Sequence, residues 1–164
     1  MVATVVGRGE PATPAGRGLR EHRGVFVSLH RRGHLRGCLG HIQDDAPLAE
    51  VTAEMAAAVT REDPRFHPVR PEELDGLEVE VSVLSPLVAI APEDVVAGRH
   101  GLLLRVGRAA GLLLPQVATE HGLDRDAFLE ALCQKAMQPP GAWRSPGAEL
   151  RAFTVQRAAT RVRA

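Results

Sequence analysis

The chain has 164 residues, enough for one domain, or one domain with a small lobe, that buries roughly 70% of its unfolded surface without staples. Hydrophobic residues are 45% and charged residues 24%, which excludes a disordered chain, and no apolar run approaches the ~20 residues of a membrane-spanning helix. Twenty basic residues balance twenty acidic ones, aromatics are 3% with no tyrosine, and cysteines number two, which argues against nucleic-acid binding and against a disulfide scaffold.

Residues 1–23 are rich in Gly, Pro, Ala and Arg and are expected to form a flexible leader. The basic stretch 157–164 is expected to be a frayed tail, leaving a folded domain over 24–156. The apolar runs 25–30 and 35–42 flank Arg31-Arg32-Gly33-His34 and predict a hairpin. With Arg32-Gly33 as a two-residue turn, Arg36 is expected opposite Leu29 and Cys38 opposite Val27, so that His34, Arg36 and Cys38 share one face. Asp44 and Asp45 ahead of Pro47 predict a helix start, with Pro47 as the first helical residue. Leu48, Val51, Met55 and Val59 give that helix its buried face, and Asp63-Pro64 is expected to stop it.

Leu77, Val79, Val81 and Val83 alternate with Glu78, Glu80 and Ser82, the pattern of a half-buried strand. Residues 101–106 and 111–114 predict a further strand pair, followed by a short helix from Pro115 that Gly122 closes. Asp124 is the expected cap of a longer helix with Phe128, Leu129, Leu132, Cys133 and Ala136 on its apolar stripe. Pro139-Pro140-Gly141 breaks that helix, and 150–155 is expected to return as a last strand. The sum is an α+β fold, a mainly antiparallel or mixed sheet with about three helices.

Chemistry concentrates in Leu35-Arg36-Gly37-Cys38-Leu39-Gly40. Gly37 and Gly40 inside a strand pattern mark a bulge or a close approach by backbone or ligand. A guanidinium at Arg36 near the Cys38 thiol favours the thiolate, the nucleophilic form, and Gly40 is expected to leave room beside the sulfur. The competing reading makes Cys38 a small buried hydrophobe. His30, His34, Cys38 and His41 have ligand-like spacing, but strand parity sets His30 and His41 on the face opposite His34 and Cys38, so zinc is the lesser alternative and no metal set is assigned.

Glu80, beside Glu78 and Ser82, is a candidate proton carrier, although such alternation also describes the solvated side of a sheet. Arg65 is suited to clamping an anion, or equally to pairing with Asp63 or Glu62. Gln116 sits where it can present its amide to a cleft, or satisfy a helix terminus. Cys133, on the apolar stripe, is expected to serve packing, and His100 to be a loop histidine. No Walker loop, dinucleotide fingerprint, nucleophile elbow or zincin motif appears, so no cofactor is assigned.

At these residues the chain resembles the AMMECR family, whose hallmark LRGC-[IL]-G is matched by Leu35 to Gly40. The likeness continues through Gly24-Val25-Phe26-Val27-Ser28-Leu29, Asp63-Pro64-Arg65-Phe66, the segment 78–86, Gly111 to Ala118, and Phe128-Leu129 through Cys133-Gln134-Lys135-Ala136. The resemblance implies larger and smaller lobes forming a cleft near the hallmark, and an association with a Memo-like protein and a radical S-adenosylmethionine protein. Its members commonly carry a helical segment before the strand at Gly24, and Lys-Ala-Gly-Leu where this chain has Lys135-Ala136-Met137-Gln138. Two functional expectations follow. In the first, a cytosolic enzyme component uses Cys38 as nucleophile with Arg36 and Glu80, while Gly37, Gly40, Arg65, Ser82 and Gln116 bind a small molecule or protein group. In the second, the hallmark shapes a groove of a non-catalytic binding module, with redox or metal handling a third choice.

Overall fold

The computed structural model describes residues 18–43 and 45–162. Most of the expected leader (1–17), Asp44 and the last two residues lie outside it. The described chain forms two compact units, one built from the residues up to Leu84 together with those from Gln156, the other from Ser85–Val155.

The first unit holds a four-stranded sheet in the order β2-β1-β3-β8. Strands β1 (Val25–Arg31) and β2 (His34–His41) form the predicted hairpin, joined by Arg32-Gly33 with φ of 52° and 79°. Positive φ at both positions is the two-residue turn whose twist matches that of the strands. Strand β3 (Leu77–Leu84) pairs antiparallel with β1, and its other side takes β8 (Val155–Arg161).

That last strand corrects the expected frayed tail. Gln156 to Arg161 are all exposed, so no apolar alternation announces them, yet the Val162 N–H bonds the Leu77 carbonyl (2.8 Å) and Val162 packs on the core. The end of the expected leader is also held. A 3-10 turn spans Gly18–Arg20, Leu19 packs on the core, and Leu48 N–H donates to the Glu21 carbonyl (2.8 Å).

Helix α1 (Leu48–Ala58) covers one face of this sheet. Leu48, Val51, Ala56 and Val59 meet Val25, Val27 and Leu29, the strand residues being fully buried. Each such aliphatic side chain contributes about 1.5–3 kcal/mol through burial. Pro47 is the residue before the helix and not its first turn, and the helix closes at Ala58, short of Asp63-Pro64. The Thr60 hydroxyl takes up the Ala57 carbonyl (2.7 Å), and the chain then turns away, which carries Asp63 to the edge of β2.

The second unit holds a second antiparallel sheet, β4 (Val88–Ala89), β7 (Ala148–Phe153), β5 (Gly101–Val106) and β6 (Ala109–Leu113) in that spatial order. The single expected sheet is therefore two. Helices α2 (Pro115–Glu120) and α3 (Arg125–Lys135) follow β6. The Asp124 carboxylate accepts the Ala127 N–H (2.8 Å), the cap expected of it. Phe128, Leu129, Leu132 and Cys133 are fully buried against Leu102 and Leu104, so Cys133 serves packing. A Cβ on Gly111 would stand 2.5 Å from the Ala136 nitrogen, which is why β6 carries glycine where α3 ends against it. Among the described residues no helix is long and apolar enough to cross a membrane.

The end of α3 keeps glycine geometry without glycine. Gln138 N–H donates to the Cys133 carbonyl (2.9 Å) and Met137 N–H to that of Gln134 (3.0 Å), the pairing of a left-handed helix stop. Met137 supplies the left-handed residue, with φ of 53° and a side chain almost wholly in solvent. Met137→Gly removes the Cβ strain and no packing. It is expected to raise the unfolding free energy by about 0.5–1 kcal/mol in urea titration.

Candidate functional site

The hallmark segment lies on β2, an edge strand, and its local geometry is set by a bulge. The pairs Arg31–His34 and His30–Leu35 agree with the predicted register, but the ladder slips between Leu29 and His30. Leu29 then faces Gly37 and Ser28 faces Cys38, so the expected Leu29–Arg36 and Val27–Cys38 pairs are corrected by one residue. The extra residue on β2 is Arg36, and an unpaired bulge residue is free to leave the sheet.

Arg36 does leave it. Its Nε and Nη2 donate to the two Glu73 carboxylate oxygens (2.8 and 2.9 Å), and Nη2 also reaches the carbonyls of His67 (3.0 Å) and Pro68 (3.4 Å). The Glu73 carboxyl is pulled down to about 2, foremost by the Arg36 hydrogen bonds, against its burial. The predicted guanidinium beside the thiol is therefore committed elsewhere. A different arginine touches Cys38: Arg65 Nη2 donates to the Cys38 carbonyl (3.1 Å).

Asp63 completes that contact. Its Oδ2 accepts the Cys38 N–H (2.8 Å), while Oδ1 and Oδ2 take Nε and Nη2 of Arg65 (2.9 and 2.7 Å) and Oδ1 the Arg65 N–H (3.1 Å). The carboxyl is held well below the usual carboxylate range, first by the Arg65 hydrogen bonds and then by the two backbone N–H groups. Asp63 and Arg65 thus satisfy the outward N–H and C=O of Cys38 as a neighbouring strand would. The salt-bridge alternative for Arg65 is realised, and its guanidinium and that of Arg36 both stand over the Phe66 ring, 5.5 and 5.9 Å from its centre.

On the sheet face away from α1, one cross-strand row carries Cys38, Ser28 and Glu80. The Ser28 hydroxyl donates to Cys38 Sγ (3.2 Å), and Glu80 lies directly across from Ser28, with Arg157 Nη1 3.7 Å from its carboxylate. Cys38 is half-buried and Ser28 buried. The next row holds Gly40, Phe26 and Ser82, the last fully buried. The room expected above Gly40 is filled, because a Cβ there would clash with the Phe26 ring. Gly37 faces the other way, its missing side chain making way for Val59 (3.1 Å to the carbonyl). Gln116 belongs to the second unit, half-buried in the first turn of α2, with its carbonyl taking the Thr119 hydroxyl (2.9 Å).

The bulge also exchanges the faces expected of His30 and His34, while His41 stays opposite Cys38 as expected. By register, His30 shares the Cys38 face, whereas His34 and His41 lie on the other, and His41 Nε2 pairs with Asp45 (2.7 Å). Among the described residues no group of three or more His, Cys, Asp and Glu side chains is placed to hold a metal. His100 Nδ1 accepts the Val96 N–H (3.1 Å) within its loop. Sequence reasoning missed Ser28 and Glu73. A serine inside an otherwise apolar strand was the only local signal for the first, and the second had none.

The AMMECR1 family model matches residues 2–158. The chain belongs to the AMMECR1 family. A protein of Methanothermobacter thermautotrophicus is 45% identical over 144 residues, covering 84% of this chain and 75% of the relative. One from Thermococcus kodakarensis is 42% identical over 158 residues, covering 90% and 77%. The crystal structure of an uncharacterized protein from Pyrococcus horikoshii superposes with a TM-score of 0.89 at 36% identity, covering 98% of this AMMECR1 chain and 88% of that one.

Proposed function

We propose that this AMMECR1-family chain is a thiol-dependent component acting on a small molecule or a protein group in a reducing cytosol. Its proposed partners are a Memo-like protein and a radical S-adenosylmethionine protein. Cys38 is the reacting sulfur, Glu80 carries the proton, and Arg65 and Ser82 border the group that reacts. The observation that supports this is the row of thiol, hydroxyl and carboxylate across three adjacent strands, with the backbone of the thiol residue clamped by Asp63 and Arg65. A sulfur held at one place on a rigid sheet, with a donor aimed at it, loses little entropy on reaching a bound electrophile.

Alkylation by iodoacetamide across pH 6–9 tests it. The native chain is expected to take one label, at Cys38, because Cys133 is fully buried. At pH 7 the rate is expected to exceed that of a free thiol of pKa near 8.5 by about tenfold or more. A rate no faster than that thiol removes the catalytic role.

The binding-module reading draws on a different observation. Arg36 and Arg65 have their charges met within the fold and, with Pro64, Phe66 and His67, line a hollow of about 360 Å³. In that case Cys38→Ser leaves capture of a Memo-like partner intact while charge reversal at Arg65 weakens it.

A further inference from the structure

Four unpaired ionisable groups of the first unit gather in another hollow. A concavity of about 560 Å³ is lined by His30, Arg32, Gly33, Gly76, Glu78 and Arg161. Among the described residues, its two guanidiniums, its imidazole and its carboxylate make no hydrogen bond or ion pair, in contrast to Arg36 and Arg65. Four ionisable groups gathered without pairing to one another face solvent with their donors free, which is how a site for a charged ligand looks before the ligand arrives.

The backbone under Arg32 supports the same conclusion. Arg32 has φ of 52°, at a turn position where Asn or Gly fits without strain. Its side chain is exposed and supports no packing, so the strain has no return inside the fold. Gly33 and Gly76 each have a positive φ and no atom within 4 Å of a would-be Cβ, which keeps the wall beside the arginines open.

The hollow also continues the sheet face that carries Cys38. His30 and Glu78 are cross-strand partners two residues along from Ser28 and Glu80, a step of about 7 Å.

We propose that this hollow binds the phosphate or carboxylate group of a small anionic molecule between Arg32 and Arg161, with His30 as a further donor. Glu78, the one carboxylate among the lining residues, selects a ligand that also carries a hydroxyl or amine. The anion site stands on its own geometry. Its use as the anchor for what reacts at Cys38 rests on the reading of Cys38 as the reacting sulfur.

Inorganic phosphate titrated into isotope-labelled full chain at low ionic strength is the first test, followed by amide shifts. Saturable shifts at Gly33 and Gly76 are expected. Arg32→Asn and Arg161→Gln are each expected to weaken binding about tenfold, and Arg108→Gln on the second unit to leave it unchanged. Arg32→Asn suits the turn better than the natural residue, so lost affinity there is not lost fold. Non-saturating shifts, or affinity indifferent to both substitutions, overturn the site.

The anchor role is read separately, from the rate of Cys38 with anionic iodoacetate against neutral iodoacetamide. A ratio that falls in Arg32→Asn and Arg161→Gln supports the anchor. An unchanged ratio overturns the anchor. Phosphate binding with a Cys38 no faster than a free thiol retains the anion site and overturns the thiol reading alone.

Discussion

Asp63→Asn is expected to lower the unfolding free energy by about 3 kcal/mol at pH 7, the largest single loss anticipated from the hallmark region. The side chain is 2% exposed and acts as acceptor to four N–H groups, two of them charged. Asparagine keeps the shape but turns one acceptor into a donor, so its NH₂ must face Arg65 donors whichever way the amide turns, and Cys38 N–H as well in one of the two orientations. Removing Arg65 leaves the buried Asp63 carboxylate with only the Cys38 and residue-65 backbone N–H groups as donors, so Arg65→Gln is expected to cost about 2 kcal/mol. The loss stays below that of Asp63→Asn because both backbone N–H groups keep their acceptor.

The pH dependence has a definite sign. The Asp63 carboxyl lies well below its ordinary value in the folded chain, so it contributes in full above about pH 4 and loses that contribution as acid protonates it. Urea titrations at pH 7 and pH 3 check this. The gap between wild type and Asp63→Asn is expected to narrow at the lower pH, and a gap that is constant or wider there removes the carboxylate as its source.

Elements fixed by neighbours in sequence were legible. The alternation over Leu77–Leu84, the Asp124 cap and the stripe from Phe128 to Cys133 all act within two or three turns or one strand. The β1–β2 turn was legible for the same reason, and with it the first two cross-strand pairs. Beyond them the bulge intervenes, and a single unpaired residue exchanges the two faces of a strand. Nothing in Leu35-Arg36-Gly37 says which residue drops out, because the choice is made by Glu73, thirty-seven positions away. Strand β8 was hidden for a related reason. Its side chains face water, and its place is set by backbone pairing with β3, seventy or more residues earlier. Asp63 was read as a helix stop, although α1 ends before it, and its pairing with Arg65 was one of the alternatives weighed, but its grip on Cys38 depends on α1 closing early.

Arg36→Lys, and separately Glu73→Gln, are each expected to cost about 2 kcal/mol of stability while leaving the Cys38 alkylation rate within about twofold of wild type. Both side chains are only 16% exposed, and the guanidinium supplies a fork that one ammonium cannot reproduce. Glutamine at 73 abandons the charge facing Arg36 and Arg31 and brings a donor toward two guanidiniums and the Arg70 N–H. The Glu73 carboxyl drops from 4.5 to about 2 on folding, so its contribution is complete above about pH 4.5 and disappears as the pH falls through about 2. Arg36 and Arg65 share the Phe66 ring, and their acidic partners hold opposite ends of one short stretch of β2. The double variant Asp63→Asn with Glu73→Gln is therefore expected to depart from additivity by about 0.5–1 kcal/mol. Additive losses would mean two independent clamps. Slowed alkylation in Arg36→Lys at full stability would return that arginine to the chemistry of the thiol.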